Sequence, residues 1–142
     1  MADSCLRHGD ATHDELVAAA AGSPPGVRRV VAYADGRSTN PFESVLRALA
    51  IDAGLDVVPQ YEVRAGGLVL HPDLVDPLRG IVLEADSWGF HASHDEHDRD
   101  CVRYNPLVAT DWRVLRFTHD HVMGSASYVV STIRHVIDAA AD

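Results

Sequence analysis

Residues 71–91 read HPDLVDPLRGIVLEADSWGFH. The apolar run Ile81-Val82-Leu83 belongs in a core, yet Glu84 and Asp86 follow it at once, with Asp73 just upstream. Strand side chains alternate between faces, so Glu84 and Asp86 share the face of Val82. With Pro77-Leu78-Arg79-Gly80 as a hairpin loop closed by Asp76 and Ile81, the antiparallel register sets Asp73 directly opposite Glu84. Directly opposed residues have β-carbons roughly 4.5 to 5.5 Å apart, where like charges repel. Two facing carboxylates inside a folded domain call for a shared proton or a cation. A hard ion such as Mg²⁺, held by one or two carboxylates with water and substrate phosphate, meets that need. The plainer alternative is two acids at the exposed end of a hairpin, with Pro72 weakening the strand. A one-residue slip in register would put the acids on opposite faces.

Outward from this stretch, 56–64, 67–75 and 80–87 are three strand-like segments punctuated by Gly or Pro. Ahead of them, Asn40-Pro41-Phe42-Glu43 opens a helix, with Asn as cap and Pro in the first position. Phe42, Val45, Leu46, Leu49 and Ala50 recur at helical spacing until Gly54 ends it. Glu43 stands three residues after the cap, the capping-box position, which gives it a structural reason of its own. Residues 1 to about 10 are polar and read as loose; a short helix runs from Thr12 to about Ala21, and GSPPG stops it. Residues 27–39 fit a helix or a short strand. Downstream come a helix over 95–109 containing Pro106, a strand over 111–117, and a last helix over 119–140 capped by Thr118. The order is helix, three-strand meander, helix, strand, helix. It predicts an α/β sandwich with a central mixed sheet of about four strands flanked by helices. Residues 1–37 form an N-terminal extension with a short helix, and 38–142 form the domain.

The chain has 142 residues, 46% hydrophobic and 23% charged, which suits one soluble domain with a real core. No stretch reaches the roughly 18 apolar residues of a membrane span, and MADSCLRHGDATHDE lacks the regions of a signal peptide. The expectation is a cytoplasmic protein with no membrane partner. Cys5 and Cys101 match no metal or redox spacing and read as reduced thiols. All 12 basic residues are arginines, so any mechanism needing a lysine is excluded. The net charge of -9 argues against coating nucleic acid through bulk electrostatics. A solvated acidic surface and a set of acids awaiting a cation both fit it, and a bound metal with a local arginine face overrides the total.

Glu43 on the opening helix, Pro72-Asp73 on one strand, Glu84-Ala85-Asp86 on the next and His91 beyond resemble the PD-(D/E)XK nuclease superfamily. Within it the chain is similar to the domain of unknown function 559 family, related to very-short-patch-repair endonucleases of DNA repair. Gln60, the segment Arg99-Asp100-Arg103 and Trp112-Arg113-Val114-Leu115-Arg116-Phe117 extend the likeness, which covers about residues 38–138. It implies a restriction-endonuclease-like sandwich that hydrolyses DNA phosphodiester bonds with Mg²⁺ or Mn²⁺. Asp73 and Glu84 would be metal ligands, Glu43 an accessory ligand or orienter, and His91 an acid/base group or phosphate contact. Asp86 stands where the superfamily places its lysine and would bind a second metal or act as a base. Ser87 replaces the family's usual glycine.

Arg99, Arg103, Arg113 and Arg116 suit a phosphate-contacting face, with Gln60 beside them on the substrate side, or ion pairs with nearby acids. His91, His94 and His97 recur every third residue, a spacing compatible with zinc on a helix but matching no standard zinc motif. His119 and His121 sit at a helix start. A second reading keeps the fold without the cutting: a nucleic-acid-binding or protein-interaction module in a toxin-antitoxin or defence setting. A homodimer or a protein partner stays open.

Overall fold

A computed structural model describes residues 2–37, 41–86 and 94–141. In chain order the elements are α1 (Ala2–His8), α2 (His13–Ala19), α3 (Pro25–Ala32), α4 (Pro41–Ala53), β1 (Val58–Pro59), β2 (Val63–Ala65), β3 (Leu68–Leu70), β4 (Leu74–Asp76) and β5 (Ile81–Asp86), then α5 (His94–Ala109), β6 (Arg113–Thr118), α6 (His119–Gly124) and α7 (Ala126–Ala140). Four strands form a mixed sheet in the order β1-β4-β5-β6, and β2 and β3 make a separate two-stranded ribbon. β4 and β5 pair antiparallel with Leu74 against Leu83, Val75 against Val82 and Asp76 against Ile81, the register that the PLRG loop length requires. β5 and β6 run parallel, joined by the α5 crossover.

Alternation along β5 sorts its side chains between two cores. Ile81 and Leu83 pack with Leu46 and Ala50 of α4, Phe117 of β6, and Val129 and Ile133 of α7. Val82 faces the other way, with Val75, Val63, Ala65 and Leu107 of α5. The sheet is therefore sandwiched between α4 and α7 on one side and α5 with the β2–β3 ribbon on the other. Ile81 through Glu84 are all buried, as a central strand covered on both faces must be.

The first two expected strands are each broken in the middle. β1 and β2 are the halves of one, β3 and β4 of the other, and a single antiparallel register runs through both halves: Val58 with Val75, Pro59 with Leu74, Val63 with Leu70, Ala65 with Leu68. The kink falls at Gln60, whose φ of 53° lies in the left-handed region, opposite His71-Pro72-Asp73. Proline offers no amide to a ladder, which is a local reason for the break. The far end turns through Gly66 and Gly67, both at positive φ, as a two-residue turn of the primed type demands. A Cβ on Gly66 would lie 2.8 Å from Pro106 Cβ, so the ribbon tip rests directly on α5.

Local signals set several ends. α4 closes at Gly54 (φ 107°), with Leu55 N–H donating to Ala50 O and Gly54 N–H to Ile51 O, the double bond of a Schellman cap. Its expected cap, Asn40, lies outside the described residues. Asp76, fully buried, organises the PLRG loop by accepting from the amides of Arg79 (3.0 Å) and Asp56 (3.1 Å) and pairing with the Arg79 guanidinium at 2.7 Å. Burial opposes its charge, but those amides and that guanidinium hold its carboxyl below the ordinary value. α5 runs through Pro106 without ending. The expected last helix is two, because the chain leaves helical geometry at Ser125 (φ -139°).

Residues expected to be loose at the start form α1, and 25–32 resolve as helix. α1 is anchored from within. Asp3, 6% exposed, pairs with Arg47 of α4 at 3.0 Å and accepts from Ser44 and from the Asp35 amide. An apolar cavity of about 530 Å³ lies among α1, α2 and α3, lined by Cys5, Leu16, Val27 and Val31 among others.

Candidate functional site

The site grows from the kink. Where β4 leaves the ladder, the Asp73 carboxylate replaces the missing backbone partner: its Oδ2 accepts from Ala85 N–H at 2.8 Å. The backbone of Asp73 is tied on its other side, its carbonyl accepting from Gln60 N–H at 3.2 Å. These two bonds bring Asp73 beside Glu84, the next residue beyond the last paired rung.

Glu84 is 3% exposed, and its Oε1 accepts no hydrogen bond. It does have a countercharge: Arg103 Nη2 lies 3.2 Å away, close enough for an ion pair but outside hydrogen-bond geometry. Burial pushes the Glu84 carboxyl up to about 8, and the Asp73 charge adds to the rise; the Arg103 charge pulls the other way. Charge on Glu84 is thus disfavoured beside Asp73, and a proton on Glu84 or a cation against it relieves the repulsion.

α5 supplies the opposite wall. Asp100, Arg103, Tyr104 and Leu107 follow helical one-face spacing and all point at the sheet. Arg103 Nη2 also donates to the His71 carbonyl at 3.3 Å, on the same kink as Asp73. Arg116 of β6 is held at 2.9 Å from Asp86 and 2.6 Å from Asp100, and its guanidinium lies 4.4 Å from the centroid of the Tyr104 ring. Burial raises the Tyr104 hydroxyl well above its ordinary value, helped by the Glu84 charge. Burial would lower Arg116, but its interactions with Tyr104 and with the carboxylates of Asp100 and Asp86 outweigh it and raise the guanidinium.

The structure therefore gathers Asp73, Glu84, Arg103 and Arg116 on one face, with Gln60 adjoining through its backbone. Asp86, expected as a third metal ligand, is engaged by Arg116; among the described residues no group of three or more His, Cys, Asp or Glu side chains is placed to hold a metal. Glu43 is 4% exposed in the first turn of α4, whose neighbours pack against the opposite face of β5. Arg99 and Arg113 are exposed. His91 and the side chain of His94 lie outside the described residues, as does Ser87; His97 is exposed, 3.9 Å from Cys101 Sγ. His121 closes a capping box with Thr118.

Tyr104 was not singled out from the sequence, although its spacing from Asp100 and Leu107 carries the signal. Asp76 and Asp3 were missed as well, since their partners are set by tertiary contacts.

Two carboxylates, one with a buried oxygen that accepts no hydrogen bond, fit a hard cation that takes one or two protein carboxylates and fills its remaining positions with water and phosphate oxygen.

The chain is 29% identical over 115 residues, 80% of its own length, to the uncharacterized protein Rv2248 of Mycobacterium tuberculosis (strain ATCC 25618 / H37Rv). The same figures hold for the uncharacterized protein MT2308 of strain CDC 1551 / Oshkosh. It spans 42% of the length of each of these relatives. No family model matches the chain, and no solved structure matches it.

Proposed function

We propose that this chain is a metal-dependent nuclease-like domain of restriction-endonuclease-like type, acting on DNA phosphodiester bonds. The observation that carries this reading is the pair of half-buried Asp73 and buried Glu84, set at the kink of a strand and faced by two arginines on the same side of the sheet. Asp73 and Glu84 would hold Mg²⁺ or Mn²⁺, which when bound supplies Lewis-acid polarisation of the phosphate and activation of water. The protein's own groups do the rest. Arg116 is oriented by Asp86, Asp100 and the Tyr104 ring, and exposed Arg99, one helical turn before Arg103 on α5, would contact the DNA backbone. Asp86 here serves to fix Arg116 rather than to carry a second ion.

Cleavage of plasmid and oligonucleotide DNA with Mg²⁺ or Mn²⁺ tests the reading on wild type, Asp73→Asn and Glu84→Gln. Loss in both variants supports it; equal cleavage by all three refutes it.

One observation favours a second reading, a fold that binds nucleic acid or a protein without cutting. Both arginines on the site face are already committed to acids, Arg103 to Glu84 and Arg116 to Asp86, and the chain holds no lysine to add charge. DNA binding without measurable Mg²⁺ or Mn²⁺ uptake by calorimetry would decide for it.

A further inference from the structure

The cation reading leaves Arg103 unexplained. Its guanidinium reaches in from α5 with a side chain 37% exposed and stops 3.2 Å from Glu84 Oε1, an oxygen that accepts no hydrogen bond. A second anchor, the His71 carbonyl at 3.3 Å, belongs to the same kink that positions Asp73. Arg103 is thus poised over the oxygen a cation would take, but by an ion pair of indifferent geometry and one long hydrogen bond. Its exposed flank leaves it room to turn toward solvent, and the Tyr104 ring, 5.9 Å from its centre, holds it only loosely. Arg116 differs: it is fixed by two carboxylates at 2.9 and 2.6 Å and by a close ring. Of the two arginines on this face, Arg103 is built to move and Arg116 to stay.

We propose that Arg103 is a built-in competitor of the cation at Glu84: the guanidinium occupies the place beside Oε1 until a divalent ion takes that oxygen, and the displaced guanidinium then meets the substrate phosphate. The inference rests on the metal reading of the Asp73–Glu84 pair. Two positive groups cannot both sit against one buried oxygen without repulsion, so ion and guanidinium exclude each other there. A planar fork released at that point is suited to two oxygens of a phosphodiester. Arg103 is then a positioning residue whose loss acts on ion affinity and on substrate binding in opposite directions.

Calorimetric titration of the full chain with Mn²⁺ gives the readout independently of turnover. Arg103→Met keeps the aliphatic stem and removes the charge, and is expected to bind Mn²⁺ at least about fivefold more tightly than wild type, the low end of usual coupling between sites. Arg103→Lys keeps a charge on a side chain that cannot fork, and should fall between the two; it also serves if Arg103→Met folds poorly. Glu84→Gln combined with Arg103→Met should show no such tightening. DNA affinity in Mn²⁺ should fall in Arg103→Met while ion affinity rises. Equal or weaker Mn²⁺ binding by both Arg103 variants overturns the inference, as does tightening that persists with Glu84 replaced. If Arg103→Met takes up Mn²⁺ and wild type does not, the competitor stands and the metal reading of the wild-type site falls. If no variant binds Mn²⁺, both fall together.

Discussion

Asp73 Oδ2 takes the place of a strand carbonyl, accepting the Ala85 amide at 2.8 Å where β4 has already left the ladder. An acid proposed for chemistry is thereby also part of the sheet. Asp73→Ala removes an acceptor from a partly buried amide and should cost about 1–3 kcal/mol in urea unfolding, whereas Asp73→Asn, which keeps an acceptor oxygen, should cost less. Equal stabilities of the two variants would show that the amide does not depend on this side chain. The comparison also separates folding from chemistry, because Asp73→Asn abolishes charge while sparing the strand.

Glu84 ties stability to pH. Its ordinary value is 4.5, and in the folded chain it is pushed up to about 8 by burial and by Asp73. Between those values the native state holds a proton that the unfolded state has released. The stabilising contribution is therefore whole below the lower value and lost as pH rises through the higher one. Unfolding of wild type by urea across this window should show stability falling with pH, and Glu84→Gln, permanently neutral, should flatten the fall by an amount on the order of a few kcal/mol. Parallel profiles for the two proteins would contradict the raised value.

Arg116 joins β5, β6 and α5 through Asp86, Asp100 and the Tyr104 ring. Arg116→Lys keeps the charge but loses the fork and the stacking plane, so the change is not conservative. Its side chain is 35% exposed, which screens the ion pairs, and a loss of about 0.5–2 kcal/mol is expected in thermal unfolding, much of it from the ring contact. A cycle with Tyr104→Leu measures that share; a coupling energy of zero would remove the stacking claim.

Gly66 combines a φ of 56° with close approach to Pro106. Gly66→Ala should destabilise by about 1–3 kcal/mol, from backbone strain and the clash together. Adding Pro106→Ala should restore only the part due to the clash, as read by denaturant midpoints.

Asp3 and Arg47 form an ion pair with side chains 7% and 4% exposed. Asp3→Ala leaves Arg47 buried without that carboxylate, and a loss of about 3–5 kcal/mol is expected. Proteolysis within α1–α3 should accelerate in the same variant. An unchanged melting temperature would mean that α1 is not held through Asp3.

The register of the acids was legible because a loop of fixed length leaves only one pairing that buries Ile81, Val82 and Leu83 together. The bend before Asp73 was not, because alternation of apolar residues says which face a strand shows and nothing about whether it stays straight; only Pro72 hinted at it. The short helix read from Thr12 onward is α2, which the structure closes with a Thr12–Glu15 capping box, while α1 carries no comparable local mark and depends on Asp3 reaching Arg47, 44 residues away. The inner face of α5 was half legible. Asp100 and Arg103 stood out as charges, but Tyr104 gains its place only when Arg116 arrives from β6. Glu43 carried two readings, cap and ligand, and its cap residue Asn40 lies outside the described residues.

The shared register on both sides of the kink makes the β1–β4 arm a ruler with its zero at Gly66-Gly67. Residues inserted or deleted between Gln60 and Asp73 in matched numbers on the two arms would change how far the tip reaches along α5, yet leave Asp73 against the same rung of β5. An unmatched change of one residue would slip β1 against β4, while Asp73 keeps its rung because the PLRG loop sets the β4–β5 register. Drift in the length of this ribbon is thus constrained by the match between its two strands, while the acids stay face to face because a different loop sets their register.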